Sequence, residues 1–199
     1  MELIDESEAD PLTARTNAQR NFERLREGLS PAILAREDGL ATELASLPGS
    51  PSKRLRALYA AMAEISAAVE PFAACRAGCS SCCHYNVSVF PLEARYIEEW
   101  SGHKRLPARA SAADFHGTPC PFLKGGQCSI YEVRPMACRK HFAITQTAYW
   151  CAPERCNDQE FPLVNFTSAY DAFEAIIASD RRGEPLDMRQ WFGTTARKS

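Results

Sequence analysis

The stretch CRAGCSSCC, from Cys75 to Cys83, holds four of the nine cysteines of this chain within nine residues. A second stretch, CPFLKGGQCSIYEVRPMACRKH, begins at Cys120 and holds three more. The last two cysteines are Cys151 and Cys156. A globular domain that needs only small buried side chains has no reason to cluster thiols at this density. The cysteines therefore indicate a chemical role.

The first group can bring its four sulfur atoms together in two ways. Its cysteines are spaced i, i+4, i+7 and i+8, so on an α-helix they would fall within roughly 100° of arc. Gly78 and the neighbouring serines weaken a continuous helix, and a tight metal-binding knuckle followed by a helix is the alternative. In either arrangement the four sulfur atoms face one volume.

The second group contains the turn and helix signals that would return its sulfur atoms to one place. Lys124 to Gln127 reads as a turn that folds Cys120 and Cys128 toward each other. Pro135 suits the first position of a short helix, which would place Cys138 in the first turn. The positive end of a helix lowers the pKa of a thiol, so this position favours thiolate.

Composition limits the class of protein. The 199 residues suffice for one domain with a real core, and 45% hydrophobic and 24% charged residues are ordinary for a globular protein. A formal charge of −2 gives no general attraction to nucleic acid or to an acidic membrane. No stretch approaches the ~18 apolar residues of a membrane span. We therefore expect neither nucleic acid nor membrane as a partner.

The compartment follows from the N-terminus and the cysteine count. MELIDESEADPLTAR is acidic and lacks an apolar run, so it predicts neither a secretory signal nor a transit peptide. A cytoplasmic location would keep the thiols reduced. Nine is an odd number, which a complete disulfide framework cannot use. A secreted, disulfide-stapled domain is therefore disfavoured.

Positive charge is concentrated where the cysteines are. Residues 75–156 carry 10 Lys and Arg against 6 Asp and Glu, whereas the flanking segments are both acidic. A site with four thiolates around a divalent ion is negatively charged, so nearby cations would help to keep the thiols deprotonated. The alternative is that these are ordinary solvated side chains. The candidates are Arg76, Arg134, Arg139 and Lys140.

Thiolate sulfur selects zinc or iron, including iron–sulfur clusters, over hard cations such as magnesium. Zinc takes four such ligands, and so does a cubane cluster. Eight cysteines would suffice for two sites, as would seven together with His84 or His141. We interpret His84 and His141 as neighbours of the ligands, and His103 and His116 as ordinary loop residues.

Hydrophobic periodicity predicts a mainly α protein, in which helices surround an irregular cysteine-rich metal-binding core with at most short β segments. We expect a disordered N-terminus over 1–12 and a helical arm over 13–71 that carries no chemistry of its own. The metal-binding core spans 72–160, and C-terminal helices over 161–199 pack on it. A helix beginning at Pro91 should point Leu92 and Trp100 inward and Glu93 outward.

Several motifs together resemble a known family. CRAGCSSCC is followed by CPFL from Cys120, CSIYEVRP from Cys128, and the pairs Cys138-Arg139 and Cys156-Asn157. This pattern closely resembles the YkgJ-type cysteine-cluster family, a zinc- or iron-chelating domain with eight characteristic cysteines. One departure is that three residues, not two, separate Cys75 from Cys79. The ligands that the resemblance implies are Cys75, Cys79, Cys82, Cys83, Cys120, Cys128, Cys138 and Cys156, with Cys151 as the extra cysteine.

Two functions follow from this resemblance. The first is a zinc- or iron-binding protein without catalysis, in which the metal holds the fold or is carried or sensed. The alternative is an iron–sulfur-dependent protein-modifying enzyme or accessory, since the cluster also looks similar to part of flagellin lysine methylases. The chain has no P-loop, GxGxxG, GxSxG or HExxH motif, which favours the first. Apart from the metal, the N-terminal helices could bind a protein partner.

Overall fold

The computed structural model describes residues 6–76, 78–107 and 113–193. Over these ranges the protein is mainly α, as predicted, with strands of only two residues. None of the helices in the described part of the chain is both long and apolar enough to span a membrane. The α-helices are α1 (Pro11–Gly28), α2 (Pro31–Asp38), α3 (Leu40–Ser46), α4 (Pro51–Val69), α5 (Pro91–Ser101), α6 (Met136–Arg139), α7 (Thr167–Asp180) and α8 (Met188–Phe192). The strands are β1 (Ser88–Val89), β2 (Leu123–Lys124), β3 (Gln127–Cys128) and β4 (Leu186–Asp187).

Three of the first four helices start with the same local device. Asp10, Ser30 and Ser50 each accept a hydrogen bond from a backbone N–H of the first turn, and a proline follows each of them. The N–H groups of the first helical turn have no partner within the helix. The capping side chain accepts a hydrogen bond from one of them, and proline at the first position has no N–H to leave unpaired. α1 thus begins at Pro11, and Glu8 before it is buried. The prediction of a disordered N-terminus over 1–12 is therefore wrong for these residues, and its first five residues lie outside the described ranges.

The larger apolar core joins the N-terminal helices to α7. Leu25 of α1, Leu44 of α3, Met62 of α4 and Phe173 of α7 are all buried in it. Full burial of one such side chain contributes ~1.5–3 kcal/mol to stability. The predicted helical arm, 13–71, thus packs against a helix from the predicted C-terminal segment. The predicted boundaries between these segments stay a prediction.

A second, smaller apolar cluster lies under the cysteines. It contains Val89 of β1, Ile97 of α5, Phe122, and Met188 and Trp191 of α8. β1 pairs antiparallel with β4, so the C-terminal end of the chain is hydrogen-bonded to the segment that follows the first cysteine group. α8 is therefore placed beside the cysteines, although it lies far from them in sequence.

Glu93 of α5 is buried and hydrogen-bonded to residues of the larger apolar core. Only 1% of it is exposed, and it accepts hydrogen bonds from the hydroxyl of Tyr59 at 2.6 Å and from the backbone N–H groups of Met136 at 2.8 Å and Phe90 at 2.9 Å. Burial raises the pKa of this carboxyl, while its hydrogen bonds act in the opposite direction. The predicted outward position of Glu93 is wrong, and so is the inward position of Trp100, which is 54% exposed.

Candidate metal centre

The first cysteine group forms an irregular loop and a short turn, not one continuous α-helix. Cys75 and Cys79 lie in the loop, and Ser81–His84 form a single 3₁₀ turn. Backbone hydrogen bonds from Cys79 N to Arg76 O and from Cys83 N to Ser80 O, both 3.0 Å, tighten the path. The predicted knuckle is therefore the better description of this segment, although no α-helix follows it directly.

The second group folds back as a hairpin, as the sequence predicts. β2 and β3 pair antiparallel, with Leu123 opposite Cys128. Gly125 and Gly126 have φ of 56° and 78° in the turn between them, a left-handed conformation that glycine adopts without steric cost. α6 follows Pro135, and the backbone N–H of Cys138 donates to Pro135 O at 3.0 Å. These elements turn the three cysteines of this group toward the first group.

Backbone contacts join the two groups directly. The N–H of Cys120 donates to the carbonyl of Cys83 at 2.7 Å. The thiol of Cys75 donates to His141 O at 3.5 Å and accepts from the N–H of Ala143 at 3.4 Å. Segments more than thirty residues apart in sequence therefore meet at the cysteines.

Arg189 of α8 is hydrogen-bonded to backbone near both cysteine groups. Its buried guanidinium donates to Tyr85 O at 2.7 Å, to Cys83 O at 3.1 Å and to Thr118 O. It also pairs with Asp187 at 3.2 Å. The segments that carry Cys83 and Cys120 are thus bonded to one side chain. The sequence analysis missed Arg189 because no motif or spacing distinguishes this arginine from others.

Electrostatic interactions show that the sulfur atoms of both groups are neighbours. Burial raises the pKa of the Cys138 thiol well above its usual value, and the nearby thiols of Cys82, Cys120 and Cys128 raise it further. Cys82 belongs to the first group and the others to the second. The structure therefore gathers thiols from both parts of the chain.

Arg134 is the cation at the centre of this arrangement. Its charge lowers the pKa of the Cys82, Cys128 and Cys138 thiols, against the stronger effects that raise them. Its guanidinium lies 3.8 Å from the ring centroid of Tyr131, and its buried Nε has no hydrogen-bond partner among the described residues. This side chain is placed to compensate the charge of thiolates.

The other predicted cations have different roles. Arg139 donates to the carbonyls of Arg134 and Glu132 and lies 4.3 Å from the ring centroid of Tyr59, so it supports the backbone. Arg76 is exposed, and Lys140 lies over the ring of Tyr170 at 4.1 Å. Among the four candidates, Arg134 is the one whose charge lowers the pKa of several thiols.

Cys151 also lies in the cluster. Burial, followed by the effects of the Cys75, Cys79, Cys82 and Cys156 thiols, raises the pKa of its thiol to about 12. The resemblance leaves this residue outside the ligand set, so its position could not be inferred from the family pattern.

A cleft of about 520 Å³ opens beside Cys151 and Cys156. Its aromatic wall includes Tyr85, whose ring stacks on that of His116 at a centroid distance of 6.0 Å. Nε2 of His116 lies 3.9 Å from the sulfur of Cys156 and 2.7 Å from Pro153 O. His116 was predicted to be an ordinary loop residue, and only the fold brings it to the cysteines.

His84 contacts Ser80 O through Nδ1 at 3.2 Å, which fits a neighbour of the site.

The chemistry of these donors fits a soft metal ion, but the side chains are not yet arranged around one. All nine cysteines are free thiols. Within 6–76, 78–107 and 113–193, no group of three or more His, Cys, Asp or Glu side chains is placed to hold a metal ion.

The comparison with known families agrees with this chemistry. Residues 74–157, about two fifths of the chain, match the model of the family CxxCxxCC, whose description reads "Putative zinc- or iron-chelating domain". Searches of curated proteins and of solved structures found no significant match. The match confirms, for residues 74–157, the resemblance that CRAGCSSCC, CPFL and CSIYEVRP indicate.

Proposed function

We propose that this protein binds zinc or iron through thiolates from both cysteine groups, without catalysing a reaction itself. The proposed ligands are Cys75, Cys79, Cys82, Cys83, Cys120, Cys128, Cys138 and Cys156. The observation that carries the proposal is the meeting of the two groups, where the N–H of Cys120 donates to the carbonyl of Cys83 at 2.7 Å. Both residues lie with Cys128 and Cys138 in or on the smaller apolar cluster. The description of the matched family supports the same metals.

Charge balance explains why a cation belongs here. Burial and neighbouring thiols raise the pKa of Cys75 to about 11, and burial raises that of Cys120 to about 11. Without a cation these groups stay protonated at neutral pH, whereas a coordinated thiol loses its proton. Arg134 contributes one positive charge, which cannot balance four thiolates. A divalent ion with soft-ligand preference supplies two further positive charges, which leaves a net charge of −1.

Metal binding should also order this part of the chain. In its described part, the segment between α5 and α7 contains one α-helix of four residues, two strands of two residues and two 3₁₀ turns of three residues. Such a segment buries few regular hydrogen bonds, so coordination bonds would supply much of its folding free energy. The thiols must be reduced to serve as ligands, which agrees with the predicted cytoplasmic location.

An iron–sulfur-dependent modifying enzyme remains the second candidate. The observation in its favour is the cleft beside Cys151 and Cys156, which has the size of a small-molecule site. Iron with acid-labile sulfide and broad visible absorption in protein purified without oxygen would support this function. Colourless protein with stoichiometric zinc would support the first.

The test compares two neighbouring substitutions in protein purified under anaerobic, reducing conditions. Cys128→Ser removes a proposed ligand from β3, and Ser129→Ala alters the adjacent exposed position and serves as the control. Cys128→Ser should lower the bound zinc or iron, measured by mass spectrometry of the metals, and should increase cleavage between α5 and α7 by protease. Unchanged metal content in Cys128→Ser would refute the ligand assignment.

A further inference from the structure

Glu8 is a buried carboxylate that precedes the first helix. Within 6–10 it is the buried residue, with 0% of it exposed. Its carboxylate accepts hydrogen bonds from the side-chain amide of Asn17 at 3.0 Å, from the N–H groups of Gln146 at 2.9 Å and Thr147 at 2.6 Å, and from the Thr147 hydroxyl at 3.0 Å. A buried charge destabilises a fold unless hydrogen bonds compensate it, so these four neutral donors fix where the N-terminal segment lies.

Thr147 connects Glu8 to the short turn that carries Cys151. Thr147 is also buried, and its hydroxyl, which donates to Glu8, accepts from the backbone N–H of Tyr149 at 3.3 Å. Its carbonyl accepts from the hydroxyl of Thr145 at 2.9 Å. Tyr149 and Cys151 belong to one 3₁₀ turn. The conformation of this turn therefore depends on the contacts of Glu8.

The N-terminal part of the chain also contacts two aromatic rings that line the cleft. The indole N–H of Trp150 donates to the backbone carbonyl of Glu8 at 2.7 Å, and the Trp150 ring lies 5.6 Å from that of Phe161. Arg15 of α1 donates to Glu160 O at 3.2 Å, and its guanidinium lies 5.4 Å from the ring centroid of Phe161. Glu8 and Arg15 thus hold one ring each.

We infer that residues 8–15 form a strap that fixes this wall of the cleft, with Glu8 as its latch. Release of Glu8 loosens the turn that carries Cys151 and makes the Cys151 thiol, which is half-buried in the structure, more reactive. A partner that binds the strap in another arrangement would change the cleft through the same contacts. The inference goes beyond metal binding and holds whichever cysteines are ligands, because Cys151 is not among the proposed ones.

Hydrogen exchange of the full chain, measured by mass spectrometry on protein purified under anaerobic, reducing conditions, tests the latch. Glu8→Gln replaces one acceptor oxygen by an NH₂ donor, so at least one N–H or O–H loses its partner. Amides of 146–151 should then exchange at least about tenfold faster, the factor that corresponds to one hydrogen bond to a charged group. Amides of α4 should exchange as in the wild type. Glu6→Gln, which removes the same charge from an exposed position, is the control and should change neither rate.

The reaction of single cysteines with iodoacetamide, located by mass spectrometry of peptides, gives a second readout. In Glu8→Gln the rate at Cys151 should rise, whereas the rate at Cys138, which packs on the smaller apolar cluster, should stay that of the wild type. An unchanged rate at Cys151, or equal exchange of 146–151 in Glu8→Gln and Glu6→Gln, would overturn the inference. So would an equal rise in the exchange of α4, because Glu8 would then stabilise the whole fold and not this wall.

A second variant covers the case in which Glu8→Gln does not fold. Asn17→Ala removes one of the four donors and leaves the carboxylate in place. Exchange of 146–151 should rise by a smaller factor than in Glu8→Gln, again with α4 unchanged. Exchange of 146–151 at the wild-type rate in Asn17→Ala, or a rise that α4 shares, would overturn the inference.

Discussion

Replacement of Arg189 should destabilise the protein and also weaken its hold on metal. This side chain donates to the backbone carbonyls of Cys83, Tyr85 and Thr118 and pairs with Asp187. Arg189→Ala would leave three carbonyls and one carboxylate without that partner. The residue lies outside 74–157, so the matched family pattern contains no requirement for it.

The size of the effect follows from the bonds that are lost. A hydrogen bond to a charged group contributes about 1.5–3 kcal/mol, so three of them give an upper bound of roughly 5–9 kcal/mol. Water can enter and satisfy part of the exposed groups, and removal of one partner of a buried ion pair typically costs about 3–5 kcal/mol. We expect Arg189→Ala to lower the free energy of unfolding by about 3–5 kcal/mol.

Urea unfolding of the reduced protein, followed by circular dichroism, measures this loss. Arg189→Lys keeps the charge, but one ammonium group cannot reach three carbonyls. The free energy of unfolding of this variant should therefore lie between those of the wild type and Arg189→Ala. Arg182→Ala is the control, since this side chain is 56% exposed and its partner Asp180, which is only 5% exposed, keeps its ion pair with Arg95 at 3.2 Å. The control should change stability by less than about 1 kcal/mol. If Arg189→Ala behaves like Arg182→Ala and binds metal as the wild type does, the positioning role of Arg189 is refuted.

Three further changes test other parts of the structure. Arg134→Gln should weaken Zn²⁺ affinity by about tenfold, because a change of one unit in a ligand pKa corresponds to a factor of ten, and an affinity equal to that of the wild type would contradict its role in charge compensation. Glu93 has a pKa raised above its ordinary value of 4.5 by burial, so its protonation stabilises the folded state at low pH, and this contribution is lost as pH rises from 4.5 through the folded pKa. Glu93→Gln should therefore lose less stability than the wild type over that range, and parallel stability curves would show that the reasoning is wrong. Leu58→Ala, at a fully buried position of α4, should lower the free energy of unfolding by about 2–5 kcal/mol. The control Leu12→Ala, at a position that is 72% exposed, should change it by no more than about 0.5 kcal/mol. Equal losses of stability in the two variants would contradict the assigned core.

The features that sequence predicted well are those set by local chemistry. The turn at Gly125 and Gly126 needs residues that tolerate positive φ, and the sequence places glycine at both positions. The short helix predicted at Pro135 is α6, which begins at the next residue. The spacing of the cysteines, read together with CPFL and CSIYEVRP, sufficed to predict the family match.

The features that sequence missed depend on long-range packing. Glu93 lies on the apolar face of α5 because Tyr59 and Met136, from distant elements, donate hydrogen bonds to it. No local pattern could predict a buried carboxylate there, and polarity alone placed it outside. His116 and Cys151 reach the cysteine cluster through loops whose path is fixed only by the folded chain.

X-ray absorption at the metal edge is the most direct test of the central claim. The protein would be purified without oxygen, and the measurement would use the metal that it retains. We expect a first coordination shell of sulfur at about 2.3 Å, the zinc–thiolate distance, or the corresponding sulfur shell of iron. A first shell dominated by oxygen or nitrogen, or reduced protein that retains no metal, would contradict the claim that thiols from both cysteine groups hold a metal ion.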